Sequence, residues 1–290
     1  MSRPPSFVPP PGVRAHMLTT ERGNFAVLTA DAATSRVKGT ALLLPGFTGS
    51  KEDFIVVQPL LAAAGYRTVA VDGRGQYESP GPRDDEAPYA QRELARDVLA
   101  QARALGAPVH LLGHSLGGQI ARAAVLLDAS PFVSLTLMAS GPAEISVPQQ
   151  QRVKQLREAL GILDMAEVWD AIQAMEPPPE EADAADIDES LADGEDLRRR
   201  WLRNSPAQLL ATGRQLCEEP DRVAELAAVG LPVHVLSGDR DDTWPIPLLD
   251  DMAARLGAHR TVVAHAEHSP NTDRPEPTAE ALAAFWDRHS

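Results

Sequence analysis

An α/β fold built on a mostly parallel sheet is what this sequence of 290 residues predicts, and three observations predict it. Short apolar runs of strand length alternate with longer runs whose apolar residues recur at helical spacing. That is the pattern of βαβ units, in which helices cover both faces of a parallel sheet. Between about residues 142 and 230 the alternation stops and only helical patterns remain. It then resumes to the C-terminus, so a helical insert of roughly 90 residues interrupts one α/β core.

The elements follow in order. "MSRPPSFVPPPG" (1–12) is proline-rich and has no apolar stretch of the secretory kind, so it is expected to be a disordered or extended arm. "HMLTT" and "NFAVLTA", separated by "ERG", read as a hairpin that opens a core over 13–141. "GTALLLPG" (39–46) is a buried strand stopped by Pro-Gly, and "DFIVVQPLLAAAG" is a helix ended by Gly65. "YRTVAVD" is a strand, and "YAQRELARDVLAQARALG" an amphipathic helix that also ends on glycine. "VHLLG" is a strand, "QIARAAVLLD" a helix and "FVSLTLMASG" another strand. In the insert (142–230), "QQRVKQLREALGIL", "MAEVWDAIQAM", "DLRRRWLRNS" and "PAQLLATGRQLCEE" read as helices, while the proline-rich acidic "EPPPEEADAADIDES" reads as an exposed linker. The core resumes over 231–290 with the strand "LPVHVLSGD", the helix "IPLLDDMAARLG", the strand "HRTVVAHA" and the terminal helix "TAEALAAFWDRH". The strand-like runs number eight, and the insert follows the sixth. Ligands gather at the carboxyl ends of strands in such sheets, so an insert there is most simply a lid, with an independent helical module as the alternative.

Composition narrows the partners. A net charge of −14 argues against a nucleic-acid surface and against attraction to anionic membranes. No apolar stretch approaches the ~20 residues a membrane helix needs. The single cysteine, Cys217, cannot form an intramolecular disulfide and fits a reducing, cytoplasmic setting. No Cys–His cluster points to a metal, and no phosphate-binding glycine motif points to a nucleotide, so no cofactor is expected. Oligomeric state is not legible.

The segment "VHLLGHSLGGQIA" (109–121) poses the functional question. The junction between strand and helix is short, and Gly113 and Gly117 permit a sharp turn there. Such a turn either punctuates the fold or forms a G-x-S-x-G elbow that lifts the Ser115 hydroxyl above the sheet edge. An elbow serine is a weak nucleophile without a histidine base and a carboxylate to orient it. Both types follow the insert. The acids are Asp239, Asp241 and Asp242 in "VLSGDRDDTWP", and the histidines are His265 and His268 in "VVAHAEHSPNTDRPE". His110 and His234 lie within strand-like runs and read as core histidines, and His114 as a locally bonded neighbour of the elbow.

Taken together these motifs resemble the α/β-hydrolase superfamily, and in particular its serine esterase and lysophospholipase-like members, over nearly the whole chain outside the arm and the insert. "GHSLGG" resembles the family's elbow, "LLPGFTGS" its oxyanion loop and "VAVDGRGQYESPGP" the loop after its fourth strand. "LSGDRDDTWP" is similar to its acid loop in a G-x-x-D-x-x-x-P frame, and "EHSPNTDRPE" to its histidine loop. The resemblance implies an eight-stranded α/β-hydrolase fold with a helical cap. It also implies Ser115 as nucleophile, Asp241 rather than Asp239 or Asp242 as the acid, and His268 rather than His265 as the base. Glu144, just past the sixth strand, occupies an alternative acid position in the family. The oxyanion hole would be the backbone N–H groups of Phe47 and Leu116, which stabilise the charge of a tetrahedral intermediate. Three residues depart from the family pattern. Pro45 replaces a histidine, Gln76 a common histidine and Tyr77 the second glycine, the last two bearing on loop shape.

The expected function is therefore a cofactor-free serine hydrolase acting on a carboxylic ester or thioester of a small or medium acyl group. A serine in the elbow disfavours haloalkane dehalogenase and epoxide hydrolase chemistry, for which the family uses aspartate. Lactonase, proline-iminopeptidase-like amidase, C–C hydrolase and haloperoxidase chemistry use the same constellation, and a non-catalytic ligand-binding protein could retain the fold. The insert holds 19 acidic and 9 basic residues, which would disfavour anionic substrates at the entrance.

Overall fold

The computed structural model describes residues 2–175 and 184–289, without the side chains of residues 184–193. Its strands are β1 (Val13–Thr20), β2 (Gly23–Ala30), β3 (Gly39–Leu44), β4 (Tyr66–Val71), β5 (Val109–His114), β6 (Phe132–Met138), β7 (Val233–Gly238) and β8 (His259–Val263). Among the described residues they form one eight-stranded sheet in the order β1-β2-β4-β3-β5-β6-β7-β8. β1 and β2 pair antiparallel in a tight hairpin, Thr20 opposite Gly23, and β2 pairs antiparallel with β4. Every other pairing is parallel.

Helices cover both faces. On one side α1 (Val57–Ala63) and α11 (Pro275–Trp286) bury Leu61, Leu282, Phe285 and Trp286 against Leu43, Ala70 and Leu112. On the other, α2 (Gln91–Ala104), α3 (Leu116–Leu127), α8 (Val223–Val229) and α9 (Ile246–Leu256) bury Val98, Ala121, Leu226 and Leu249 against Leu42, Leu111 and Val235. Alternate residues of one strand, such as Leu111 and Leu112 of β5, therefore serve opposite layers, as side-chain alternation along a strand requires. A short α10 (Pro270–Asp273) precedes α11.

The insert after the sixth strand forms a helical cap of α4 (Val147–Leu160), α5 (Met165–Met175), α6 (Ala184–Arg203) and α7 (Pro206–Glu218), while α8, also within 142–230, belongs to the core layer. The cap has a core of its own around Leu160, Val168, Trp169, Leu197, Trp201 and Leu209. Three expectations are corrected. The helix read over "DLRRRWLRNS" begins earlier, so α6 takes in the second half of the supposed linker, whose first half (176–183) lies outside the described residues. The sequence pattern does not announce the short helix α8, although Val223 and Leu226 are buried and Gly230 follows in a left-handed conformation that suits a helix end. The arm over 1–12, expected to be disordered or extended, is not disordered over its described residues 2–12. Pro4 is buried, Phe7 packs on the cap core, and the Val13 amide donates to the Pro10 carbonyl at 3.0 Å.

Candidate active site

β5 is interior to the sheet, between β3 and β6, and the chain turns from it into α3 through Ser115. Ser115 has φ 54°, ψ −119°, a strained setting for a residue with a Cβ. The turn closes because Gly117 lies against β3; a Cβ there would stand 2.6 Å from the Leu44 and Pro45 carbonyl oxygens. The Ser115 amide donates to the Met138 carbonyl at 2.9 Å, which ties the turn to the end of β6.

The histidine and the acid arrive from the loops after β8 and β7. His268 Nε2 lies 3.0 Å from Ser115 Oγ, and its Nδ1 lies 2.9 Å from Asp241 Oδ2. The Asp241 side chain is fully buried, and its Oδ1 accepts the Thr243 and Trp244 amides at 2.8 and 3.2 Å. Two N–H donors thus fix the carboxylate and leave its other oxygen for the imidazole. The competing residues lie apart from this line. Asp239 is exposed and accepts the amide of His265, itself exposed, and Glu144 is exposed too. Asp242 is exposed and accepts from Gln149 at 2.7 Å. The structure brings Ser115, His268 and Asp241 together and leaves His265, Asp239, Asp242 and Glu144 outside.

His114 does more than bond locally. Its Nε2 lies 2.7 Å from the His268 carbonyl, an acceptor, so Nε2 carries the proton and holds the backbone of His268. Its Nδ1 is buried with no partner among the described residues. Burial, and then the neighbouring His268, push His114 down to about 4, so the ring is neutral near pH 7. His110 and His234 are buried as expected, 2.8 Å from the Ser134 and Thr261 hydroxyls.

The loop after β3 places Gly46 against Ser115; a Cβ on Gly46 would stand 3.3 Å from Ser115 Cβ. Phe47 follows it, and Leu116 opens α3 on the other side of Ser115. Among the described residues neither amide donates to a backbone carbonyl outside helices and strands, and Leu116 opens its helix, where no acceptor lies four residues back. Gln76 clamps this loop. Its Nε2 donates to the Gly46 carbonyl at 2.9 Å, and its Oε1 accepts the Gly73 amide at 2.9 Å. Sequence reasoning treated Gln76 as a departure, and a long amide with both a donor and an acceptor is the signal that could have identified it.

Beneath the loop the buried Lys51 ammonium meets Glu52, Asp72 and Glu78 at 2.7, 2.9 and 2.7 Å. Burial works against the Lys51 charge, but Asp72 and Glu52 overcome it and hold the group above the usual lysine range. Burial also pushes Asp72 up to about 7 against the pull of Lys51, and Glu52 adds to the rise. Tyr77 has φ 37°, in the region that favours the glycine it replaces. Cations account for its ring, Lys51 Nζ lying 4.6 Å and the Arg203 guanidinium 5.7 Å from the centroid, while its backbone amide donates to Asn204 Oδ1 at 2.8 Å.

A cleft of about 350 Å³ opens at Ser115. Phe47, Ile145, Val153 and Leu216 form an apolar wall, with Ser2 of the arm and Gln149, Arg152, Asp242 and Thr243 around it. Val153 and Leu216 belong to α4 and α7, so the cap builds part of the cleft. The described charges at the mouth, Arg152 and Asp242, face each other at 3.7 Å. Among the described residues, then, the cleft is lined by one charge of each sign rather than by an acidic excess, and eight of the cap's acidic residues fall within 176–193, outside the described side chains.

A parallel sheet with a strained serine between β5 and α3, faced by a histidine and a buried aspartate, defines a hydrolase of the α/β class. The chain belongs to the alpha/beta hydrolase family, which it matches over residues 41–281. It is 30% identical over 244 residues to the pimeloyl-[acyl-carrier protein] methyl ester esterase of Aeromonas hydrophila, covering 79% of this chain and 88% of that one. RutD of Variovorax paradoxus, a carbamate hydrolase by name, is 38% identical over 104 residues, a stretch that spans only 38% of that protein. Among solved structures, an esterase from Thermogutta terrifontis superposes with TM-score 0.72 at 21% identity, over 96% of this chain and all of that one. At that identity the likeness is one of fold. No described helix is long and apolar enough to cross a membrane.

Proposed function

We propose that the protein is a serine hydrolase that cleaves a carboxylic ester or thioester of a small or medium acyl group through an acyl-enzyme. Ser115 Oγ attacks the acyl carbon while His268 Nε2 takes its proton. The Phe47 and Leu116 amides bind the oxyanion; loss of one such donor typically costs about 3–4 kcal/mol. The tetrahedral intermediate collapses, the bond from acyl carbon to leaving group breaks, and His268 returns the proton to the leaving group. Water then repeats the sequence on the acyl-enzyme, releasing the acid and restoring Ser115. Asp241 holds the imidazole tautomer and stabilises the imidazolium.

The observation that carries this reading is the line from Ser115 Oγ through His268 to the buried Asp241, at 3.0 and 2.9 Å. The Aeromonas methyl ester esterase supports an ester over an amide or a C–C bond. A cleft of about 350 Å³ with an apolar wall suits a modest acyl group rather than a polymer. The test combines a fluorophosphonate probe with a panel of acyl esters and thioesters of graded length. Wild type should be labelled and should turn over part of the panel, and Ser115→Ala should lose the label and about 10⁴-fold in kcat. Labelling that survives in Ser115→Ala, or activity near wild type, overturns the mechanism.

A further inference from the structure

We infer that Arg200, a cap residue outside the cleft, is a positioning residue for the oxyanion loop, acting through Asp53; the inference rests on the hydrolase reading above. Arg200 lies near the end of α6 and is fully buried, as is Asp53, and Nη1 stands 3.1 Å from Asp53 Oδ1. Its Nη2 donates to the Ser2 carbonyl at 2.5 Å. Asp53 Oδ2 in turn accepts the Ser2 hydroxyl at 2.9 Å and the Ser50 amide at 3.3 Å. The Asp53 carbonyl accepts Asn271 Nδ2 at 2.6 Å, on the segment just after His268. Asp53 is thus the point where the cap, the arm, the oxyanion loop and the histidine loop meet.

The path to the reacting atoms is short. A Cβ on Gly49 would collide with the Asp53 carboxylate, and the Gly49 amide donates to the Gly46 carbonyl at 3.2 Å. Gly46 rests on Ser115 and precedes Phe47, whose amide the reading assigns to the oxyanion. A shift of Asp53 therefore moves the Gly46–Phe47 peptide. Stability is a weak reason to keep such a pair, because apolar replacements of buried ion pairs are often neutral or stabilising. Geometric definition is the better one, since misplacing a donor by about 1 Å is costly in rate. Tyr77 reinforces the joint from the same stretch of cap, through the Asn204 contact and Arg199 Nε at 3.3 Å from its hydroxyl.

Two consequences separate this role from that of a pocket wall. The loss should fall on kcat, and it should not depend on the acyl group. The test uses the whole protein with Arg200→Lys, Arg200→Met and the near-isosteric Asp53→Asn. It measures kcat and KM on esters of several chain lengths, inhibition by a trifluoromethyl ketone that forms a tetrahedral adduct, and melting temperature. Arg200→Met and Asp53→Asn should lose about 10- to 100-fold in kcat at every chain length, with KM within about threefold. Ketone affinity should fall by the same factor as kcat/KM, and Arg200→Lys should lie between. Should Arg200→Met not fold, Arg200→Lys and Asp53→Asn carry the test. Folded variants with kcat within about twofold of wild type, or with losses confined to KM or to one chain length, overturn the inference. Wild type that neither reacts with the fluorophosphonate nor cleaves any ester would refute the hydrolase reading itself.

Discussion

At the scale of single residues, the aspartate facing His268 stands among rivals close in sequence, and physical setting separates them. Asp241 is fully buried and held by two amides, so its ionised form has partners that water would otherwise supply. Asp242, its immediate neighbour, points to solvent and pairs with groups on the cap. Replacing Asp241 by Asn keeps the shape but favours the wrong imidazole tautomer. Asp241→Asn should therefore lower kcat by about 10⁴-fold. Asp242→Asn and Glu144→Gln should stay within about threefold of wild type. Steady-state kinetics of the three variants on one ester decide it, and a crippled Asp242→Asn or Glu144→Gln would move the acid to that residue. The residues themselves leave Asp239, Asp241 and Asp242 as rivals, and only the resemblance of the loop to the family's G-x-x-D-x-x-x-P frame brings Asp241 forward. Sequence alone could not find His114 as the support of the His268 backbone, because that bond spans 154 residues and leaves no local pattern.

At the scale of elements, the strands and most helices were legible because each carries its own periodicity. The elbow was legible because a sharp turn demands glycine at fixed offsets. What stayed hidden depends on partners far away in the chain. The prolines of the arm suggest disorder, yet Phe7 finds the cap core and Ser2 finds Arg200 and Asp53. Tyr77 looks like a defect in a glycine motif until Asn204 and Lys51 are placed around it. The cap was legible as an interruption of alternation and as a lid that builds part of the pocket, but which cap side chains meet which core side chains was not, since Val153 and Leu216 meet Phe47 and Ile145 only in three dimensions. These wall residues should act on selectivity. Truncating one enlarges the apolar space beside the acyl group, and a methylene in such a pocket is worth about 1–3 kcal/mol. Val153→Ala and Leu216→Ala should shift the optimum of kcat/KM toward longer acyl chains, while the pH profile of kcat stays as in wild type. Chain-length profiles that match wild type in both variants would place the acyl group elsewhere.

At the scale of the whole molecule, the packing that holds the sheet between its helical layers also sets its response to acid. Burial pushes His110 and His114 down to about 4, and His234 to about 3, from an ordinary 6.5. The fold thus accepts these rings neutral, while the unfolded chain takes up protons below pH 6.5. Their stabilising contribution is complete above pH 6.5 and is lost as pH falls from there toward 4. The Asp72 carboxyl, pushed up to about 7, works in the opposite sense, favouring the fold as pH falls. The net slope of wild type therefore mixes the two, and a variant isolates the histidines. His110→Gln removes a titrating ring that stacks on Trp286 at 5.3 Å between centroids, so it should be less stable at pH 7.5. Its further loss on going to pH 5.5 should be smaller than that of wild type by about 1 kcal/mol, the cost of one histidine's proton uptake in the unfolded chain. Melting temperatures of both proteins at the two pH values give the comparison; parallel shifts would mean that His110 is already protonated in the fold or does not titrate on unfolding.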